Sequence, residues 1–362
     1  MHYAILTLVR RHMAIISSQE DQRPVDAGNS VLKPYPSKSD LEYEEGPRDK
    51  NLRPTSFDSY IGQSNLLNTL KISISAAQNR KDLASMGHIL LYGPPGLGKT
   101  SLAYLLANEL GTEAKVFSAP ALDRPKDILG ILMSINDGDV VFIDEIHRLN
   151  KITEELLYPA LEDYQIDLTS GKDASSRAMR ININKFILVG ATTKLGFISA
   201  PLRDRFVHIH RMEYYKKEEL AQIAMQNSKL LNINIDHASS LALAARSRGT
   251  PRIVNRLLRL VRDYAHHKNL NHLNEITTNQ ALDLYRIDEA GLDIMDRKIL
   301  ELMIEKYKGG PVGLETIAAL TGEDKTTIED YYEPFLLQSG FLLRTQRGRM
   351  VTELGVEYMS QN

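Results

Sequence analysis

In the stretch GPPGLGKT, Gly93 to Thr100, a lysine and a hydroxyl side chain directly follow three glycines. Glycines so spaced let successive backbone N–H groups curl around an anion, which is the chemistry of phosphate binding. The apolar run HILLY precedes the loop and the helical pattern SLAYLLANEL follows it. The loop therefore lies between a strand and a helix N-terminus, whose positive end faces the anion. In this context Lys99 is expected to reach the β- and γ-phosphates of ATP, and the Thr100 hydroxyl to ligate Mg2+.

A second acidic element complements the loop. In VVFIDEIHRL, Val140 to Leu149, four apolar residues make a buried strand and Asp144 emerges at its carboxyl end. Asp144 is expected in the Mg2+ coordination sphere, and Glu145 is expected to polarise the attacking water. Read without the loop, the same pair is an ordinary acidic helix start. GATT, Gly190 to Thr193, ends another apolar run, where a threonine either orients water or caps a helix. SAPLRDRF, Ser199 to Phe206, sets Arg203 and Arg205 in a polar turn with only Asp204 as an obvious carboxylate nearby.

These residues need a scaffold, and the hydrophobic pattern supplies one. HILLYG, KVFSA, DVVFID and FILVGA are near-continuous apolar runs that alternate with helical patterns. They indicate a parallel α/β sheet covered on both faces. An amphipathic helix is expected from about Ser64 to Asn79. From about Glu213 to Arg286 the pattern is helical, and the last 75 or so residues read as three helices ending in two short strands. Residues 1–50 read as a disordered tail, polar with scattered prolines from Ser17 to about Lys50; the apolar-then-basic order of the first residues does not suit a secretory signal. A net charge of −2 excludes a bulk polycation, so contact with nucleic acid needs local patches. No cysteine is present and no run is apolar enough to span a membrane, which suits a cytoplasmic protein.

The order of these parts resembles that of AAA+ ATPases, and the wording resembles the RuvB family within them. YIGQ, LLYGPPGLGKT, FIDEIHRLN, LYPALEDYQID, APLRDRF, SRGTPRIVNRLLR, GGPVGLETIA and TIEDYYEPFLLQSGF carry the likeness from about Leu52 to the C-terminus. The resemblance implies an α/β P-loop NTPase (AAA+) large domain at 51–212, an all-α lid at 213–286 and a C-terminal winged-helix domain at 287–362. It implies that Leu52, Arg53 and Tyr215 border the adenine and that Gly96, Lys99, Thr100 and Ser101 hold phosphates. Glu162, Asp163 and Tyr164 match a segment near the nucleotide, across a subunit boundary; without the family they read as the end of a packed helix. Thr193 would be the first sensor and Arg252 the second; without the family, Arg252 reads as part of a solvated basic face. Arg205 would be an arginine finger that serves the ATP of a neighbouring subunit, with Arg203 bracing the loop.

The function implied is a hexameric, ATP-driven DNA motor that moves Holliday junctions in recombination and repair. The β-hairpin expected at 165–183 would dock a RuvA-like junction-binding partner, with a RuvC-like resolvase as a further partner. Thr169, Ser170 and the tip GKDASS depart from the family pattern, and Val207 stands where glycine is usual. The C-terminal region is acidic in sum, so DNA contact falls to a local cluster: Lys325, Arg344 and Arg349 match family DNA contacts, with Arg347 beside them. The alternative for that cluster is a solvated hairpin tip. A clamp-loader-like AAA+ switch shares the ATPase core but normally has a helical collar in place of the winged helix. A DExH-type helicase does not fit the GTPR lid, and a protein-remodelling AAA+ would need pore-loop aromatics that cannot be placed.

Overall fold

A computed structural model describes residues 52–170 and 177–361, so the N-terminal tail and the hairpin tip lie outside the described residues. Two compact units divide at Glu213/Tyr214.

In the first unit, helix α1 (Ser64–Arg80) precedes strand β1 (His88–Tyr92), the glycine loop and helix α2 (Lys99–Leu110). Then follow β2 (Ala114–Ser118), α3 (Pro125–Met133), β3 (Asp139–Asp144) and α4 (Lys151–Glu162). The hairpin strands β4 (Gln165–Ser170) and β5 (Arg177–Asn182) come next, then β6 (Phe186–Thr192), a short helix α5 (Ala200–Arg203) and β7 (Phe206–Arg211). The five-stranded parallel sheet has the order β2-β3-β6-β1-β7. Its three central strands are buried along nearly their whole length, which is why they read as unbroken apolar runs.

The sequence reading missed β7. Its residues alternate between buried and exposed because it is an edge strand, and its inclusion of two histidines and an arginine hides the signal. β4 and β5 form the expected antiparallel hairpin, braced across its exposed face by Arg180 donating to Asp167 at 2.8 and 3.2 Å.

The second unit starts with four helices, α6 (Lys217–Leu230), α7 (His237–Ala245), α8 (Pro251–Lys268) and α9 (Glu275–Leu284). α8 buries Val254, Leu257, Leu258, Val261 and Ala265 along one stripe and turns its arginines away from it. α10 (Ile294–Tyr307) and α11 (Leu314–Thr321) lead to a third helical stretch made of α12 (Lys325–Thr327), a π turn (Ile328–Tyr332) and α13 (Glu333–Gln338). Pro334 lacks the N–H that would continue the regular ladder, which accounts for the wider turn before it. β8 (Leu342–Thr345) and β9 (Gly348–Val351) form the wing.

The chain does not end on the wing, as the sequence suggested: helix α14 (Glu353–Gln361) returns to pack on α10. Gly355 permits the return, since a Cβ there would meet the Phe341 carbonyl at 2.7 Å. Arg248 ties the four-helix part to the winged helix. Its buried guanidinium donates to Gly291 O (3.0 Å), Asp293 (3.3 Å) and Asp296 (2.5 Å), and lies 4.5 Å from the Phe335 ring centroid. Burial pushes the Asp296 carboxyl up to about 7 even against Arg248's charge. Among the described residues no helix is long and apolar enough to cross a membrane.

Candidate nucleotide and nucleic-acid sites

Strand order assembles the nucleotide site. The glycine loop leaves the carboxyl end of β1, Asp144 and Glu145 leave that of β3, and β6 runs between the two. Thr192 and Thr193, at the end of β6, therefore stand between the lysine loop and the acidic pair. In open α/β sheets this is the end where ligands bind.

The loop is shaped for an anion. Gly93, Gly96 and Gly98 all have positive φ (142, 80 and 95°), a conformation that side chains resist. Gly93 also lies so close to the end of β7 that a Cβ would meet the Met212 carbonyl at 2.6 Å. The first turn of α2 carries no acidic residue to oppose a phosphate. Lys99 is buried, and its ammonium donates to the carbonyls of Gly93 (2.7 Å) and Pro94 (2.8 Å). Burial lowers its pKa, while the charges of Asp144 and Glu145 push it back up, so the acidic pair acts on the lysine across the site.

No cluster of three or more His, Cys, Asp or Glu that could cage a metal occurs among the described residues. The donor set, one hydroxyl at Thr100 and one carboxylate at Asp144, suits a cation that takes most of its ligands from phosphates and water, as Mg2+ does. Arg53 lies 4.5 Å over the ring of Tyr104 in α2, and Leu52 is buried, so the start of the described chain is packed on the helix behind the loop.

Glu145 has a left-handed backbone (φ 49°), unusual for a glutamate. Its Oε2 accepts from the Thr193 hydroxyl at 3.2 Å and, at 3.4 Å, from the Thr193 N–H. The same oxygen lies 3.2 Å from His147 Nδ1, which is also 2.9 Å from the Thr192 hydroxyl. Thr193 thus holds Glu145 and does not cap a helix; the neighbouring Thr192 takes the local turn role by accepting from Lys194 N–H. Burial lowers the pKa of His147, Glu145 pushes it up, and Lys194 and Arg148 lower it. His147, within FIDEIHRLN, is a site residue that the sequence reading missed. Its signal was the two-residue spacing from Glu145.

The opposite end of the sheet holds the other predicted residues. Phe206, which follows Arg205, pairs in register with His88, the first residue of β1. The glycine loop begins five residues further along that strand, roughly 16 Å away at about 3.3 Å per residue. Arg205 is therefore at the wrong end of the sheet for the loop of its own chain. The expectation that it has no carboxylate beyond Asp204 is corrected: its Nη2 pairs with Glu162 at 2.9 Å. Its Nη1 donates to Pro201 O at 3.1 Å, and the guanidinium lies 5.3 Å from the Tyr158 ring centroid.

Arg205 Nε is buried with no acceptor among the described residues. Tyr164 packs edge-on to His88 and Phe186, so Glu162, Asp163 and Tyr164 share the amino end with Arg205. Arg203 forms no ion pair among the described residues. Tyr215 is buried and Arg252 exposed, both in the second unit.

At the wing, Arg344 and Arg347 are exposed, and Arg344 and Arg349 are ion-paired as well. Arg344 and Arg349 are directly opposed across β8 and β9, a pairing in which like charges repel. Glu333, only 1% exposed, lies beneath both and takes them bidentately: Arg344 donates at 2.6 and 3.0 Å, Arg349 at 3.1 and 3.0 Å. Glu329, one helical turn earlier and half-exposed, accepts from Arg344 at 3.1 Å. Lys325 pairs with Glu315. Neither glutamate of the wing was singled out in the sequence, because the partners lie 11 to 16 positions apart and meet only when the wing folds onto the helix.

Three family models match the chain. The Holliday junction DNA helicase RuvB P-loop domain covers residues 52–212, the RuvB AAA lid domain 215–288 and the RuvB C-terminal winged helix domain 289–360. The chain is 48% identical over 355 residues to a Holliday junction branch migration complex subunit RuvB of Rippkaea orientalis, covering 96% of this chain and 97% of that one. A protein of the same description from Crocosphaera subtropica is 51% identical over 325 residues, covering 90% and 91% of the two chains. Among solved structures, the Thermotoga maritima RuvB Holliday junction branch migration motor is similar with a TM-score of 0.76 and 45% identity, covering 86% of this chain and 98% of that one. Matched almost continuously from residue 52 to residue 360 by RuvB domain models, and alike in nearly half its residues to RuvB proteins along their length, the chain belongs to the RuvB family.

Proposed function

We propose that this protein is an ATP-hydrolysing motor that drives branch migration of Holliday junctions. The observation that carries the reading is the division of catalytic groups between the two ends of one sheet: Lys99, Asp144, Glu145 and Thr193 at the carboxyl end, Arg205 at the amino end. A chain built this way is completed by a second copy of itself, as in a ring, and the ring we propose is a hexamer.

Within each site, Lys99 and the backbone from Gly96 to Ser101 bind the β- and γ-phosphates, and Thr100 and Asp144 hold Mg2+. Bound there, the cation neutralises charge on the phosphate oxygens. Glu145, aimed by Thr193, accepts a proton from the attacking water, and Thr193 reports the state of the γ-phosphate. Arg205 reaches into the neighbour's site with its planar fork, and Glu162, Asp163 and Tyr164 flank it there. Leu52, Arg53 and Tyr215 border the adenine. Arg252 brings the lid to the γ-phosphate, so that hydrolysis moves the lid and the winged helix with it.

The domain limits we propose are 51–212, 213–286 and 287–362. Lys325, Arg344 and Arg349 grip the duplex backbone without reading bases. The hairpin 165–183 receives a RuvA-like partner, and the assembly works in the cytoplasm. A clamp-loader-like switch would lack the winged helix that the family model matches at 289–360.

The test is movement of a synthetic four-way junction by the purified chain with ATP and Mg2+, with and without a RuvA-like partner. Migration that requires hydrolysis is expected. An ATPase indifferent to DNA that leaves the junction in place under both conditions would overturn the motor reading.

A further inference from the structure

The two glutamates beneath the wing share the same guanidinium groups but differ in burial. Glu333 is 1% exposed and binds both Arg344 and Arg349 bidentately. Burial alone would raise its pKa, yet the hydrogen bonds from Arg344 and Arg349 hold it below the usual carboxylate range. Breaking such a buried pair leaves an uncompensated charge. Glu329 is 45% exposed and touches Arg344 at 3.1 Å and Arg349 at 3.8 Å. Ion pairs of that kind contribute little and are readily exchanged. The π turn Ile328–Tyr332 bears Glu329 on the same helical stretch as Glu333. Arg344 is 51% exposed, so its guanidinium is open to solvent on the side away from Glu333.

We infer that Glu333 positions the two wing arginines for DNA, while Glu329 occupies the place of a backbone phosphate on Arg344 and is displaced when duplex binds. The inference rests on the reading of the wing as the DNA grip. A carboxylate oxygen and a phosphate oxygen can each accept the Arg344 Nη2–H that Glu329 now takes, and the phosphate is the partner with the polyanion behind it. Two arginines and two glutamates leave the free wing with no net charge from these four groups. Displacement of Glu329 exposes positive charge only where DNA supplies its counterpart, which limits unproductive contact with other polyanions.

The two roles predict opposite signs for the same chemical change. Duplex affinity of the full chain is measured at low and moderate salt for the parent, Glu329→Gln, Glu333→Gln, Arg344→Ala and Arg344→Ala/Glu329→Gln. Glu329→Gln is expected to tighten binding about two- to fivefold, and this gain is expected to vanish when Arg344 is absent. Glu333→Gln is expected to weaken binding although it removes a negative charge. Tightening by Glu333→Gln, or an equal gain from Glu329→Gln in the Arg344→Ala background, would reduce both glutamates to general repulsion and overturn the inference. If Glu333→Gln does not fold, the Glu329 and Arg344 cycle still decides. Unchanged binding by Arg344→Ala alone would remove the wing as the grip, a failure distinct from the failure of the exchange.

Discussion

The two ends of the parallel sheet are built from the same strands but left in different states of completion. At the carboxyl end, Lys99 donates to loop carbonyls, Glu145 accepts from Thr193 and contacts His147, and Asp144 acts on Lys99 by charge. Each group there has a partner that aims it. At the amino end, Arg205 has one half-exposed carboxylate, one carbonyl, a ring face and a buried Nε with no acceptor among the described residues. A guanidinium with part of its donor capacity unused is costly inside a protein unless something else completes it. On the proposed function, binding and water activation are set up within one chain, and Arg205 is the group that a neighbouring chain's site would receive.

Breaking either end should therefore have different signatures. Lys99→Ala is expected to abolish ATP turnover together with nucleotide binding, and Arg205→Ala to lower turnover by about 10³-fold or more with binding retained. Mixed rings of the two variants should recover some turnover, because an intact loop then meets an intact arginine. Absence of recovery where mixed rings are shown to form would place Arg205 outside the reaction. Glu145→Gln should lower turnover by about 10²- to 10⁴-fold without weakening nucleotide binding, and mixing with Arg205→Ala should also recover activity. Equal loss of binding and turnover would mean that the glutamate holds nucleotide and does not act on water.

Smaller effects sharpen the amino end. Glu162→Gln removes a half-exposed partner of Arg205, so turnover should fall by a few-fold at most with KM for ATP unchanged. A drop as deep as that of Arg205→Ala would make Glu162 part of the reacting set.

His88 supplies the slightest test. Its Nδ1 accepts from the Leu188 N–H at 3.0 Å, so its Nε2 carries the proton given to the Leu161 carbonyl, also at 3.0 Å. Burial holds its pKa below the ordinary 6.5. The folded form then binds fewer protons than the unfolded chain, so this contribution to stability is full above pH 6.5 and drains as pH falls below it. Thermal unfolding followed from pH 7.5 down to about 5 should show a steeper loss for the parent than for His88→Gln. Parallel curves would show that the neutral histidine is not what ties the amino end together.

Much of the carboxyl end was legible in the residues. Near-continuous apolar strands, glycines with nothing but a lysine and threonine behind them, and an acidic pair at a strand end each have a local physical cause. Each lies within a few positions of its neighbours, so spacing reveals it. The edge strand β7 was not legible because one face meets solvent and its polar residues break the run. The closing helix α14 is short, and of its nine residues only Gly355 is buried, so no apolar stripe marks it in the sequence.

By itself, the sequence determined the phosphate loop, the acidic pair and the alternation of strands and helices, since these depend on local backbone preference and on the period of burial. Only the tertiary structure decided which groups face each other. Strand order set Thr193 between Lys99 and Glu145 and sent Arg205 to the opposite end, and folding of the wing onto its helix turned three apparently free charges into a clamp around Glu333 and Glu329 and a Lys325–Glu315 pair. Charges attract through space, and the distance along the chain between Arg344 and Glu333 says nothing of the distance between them until the backbone has closed.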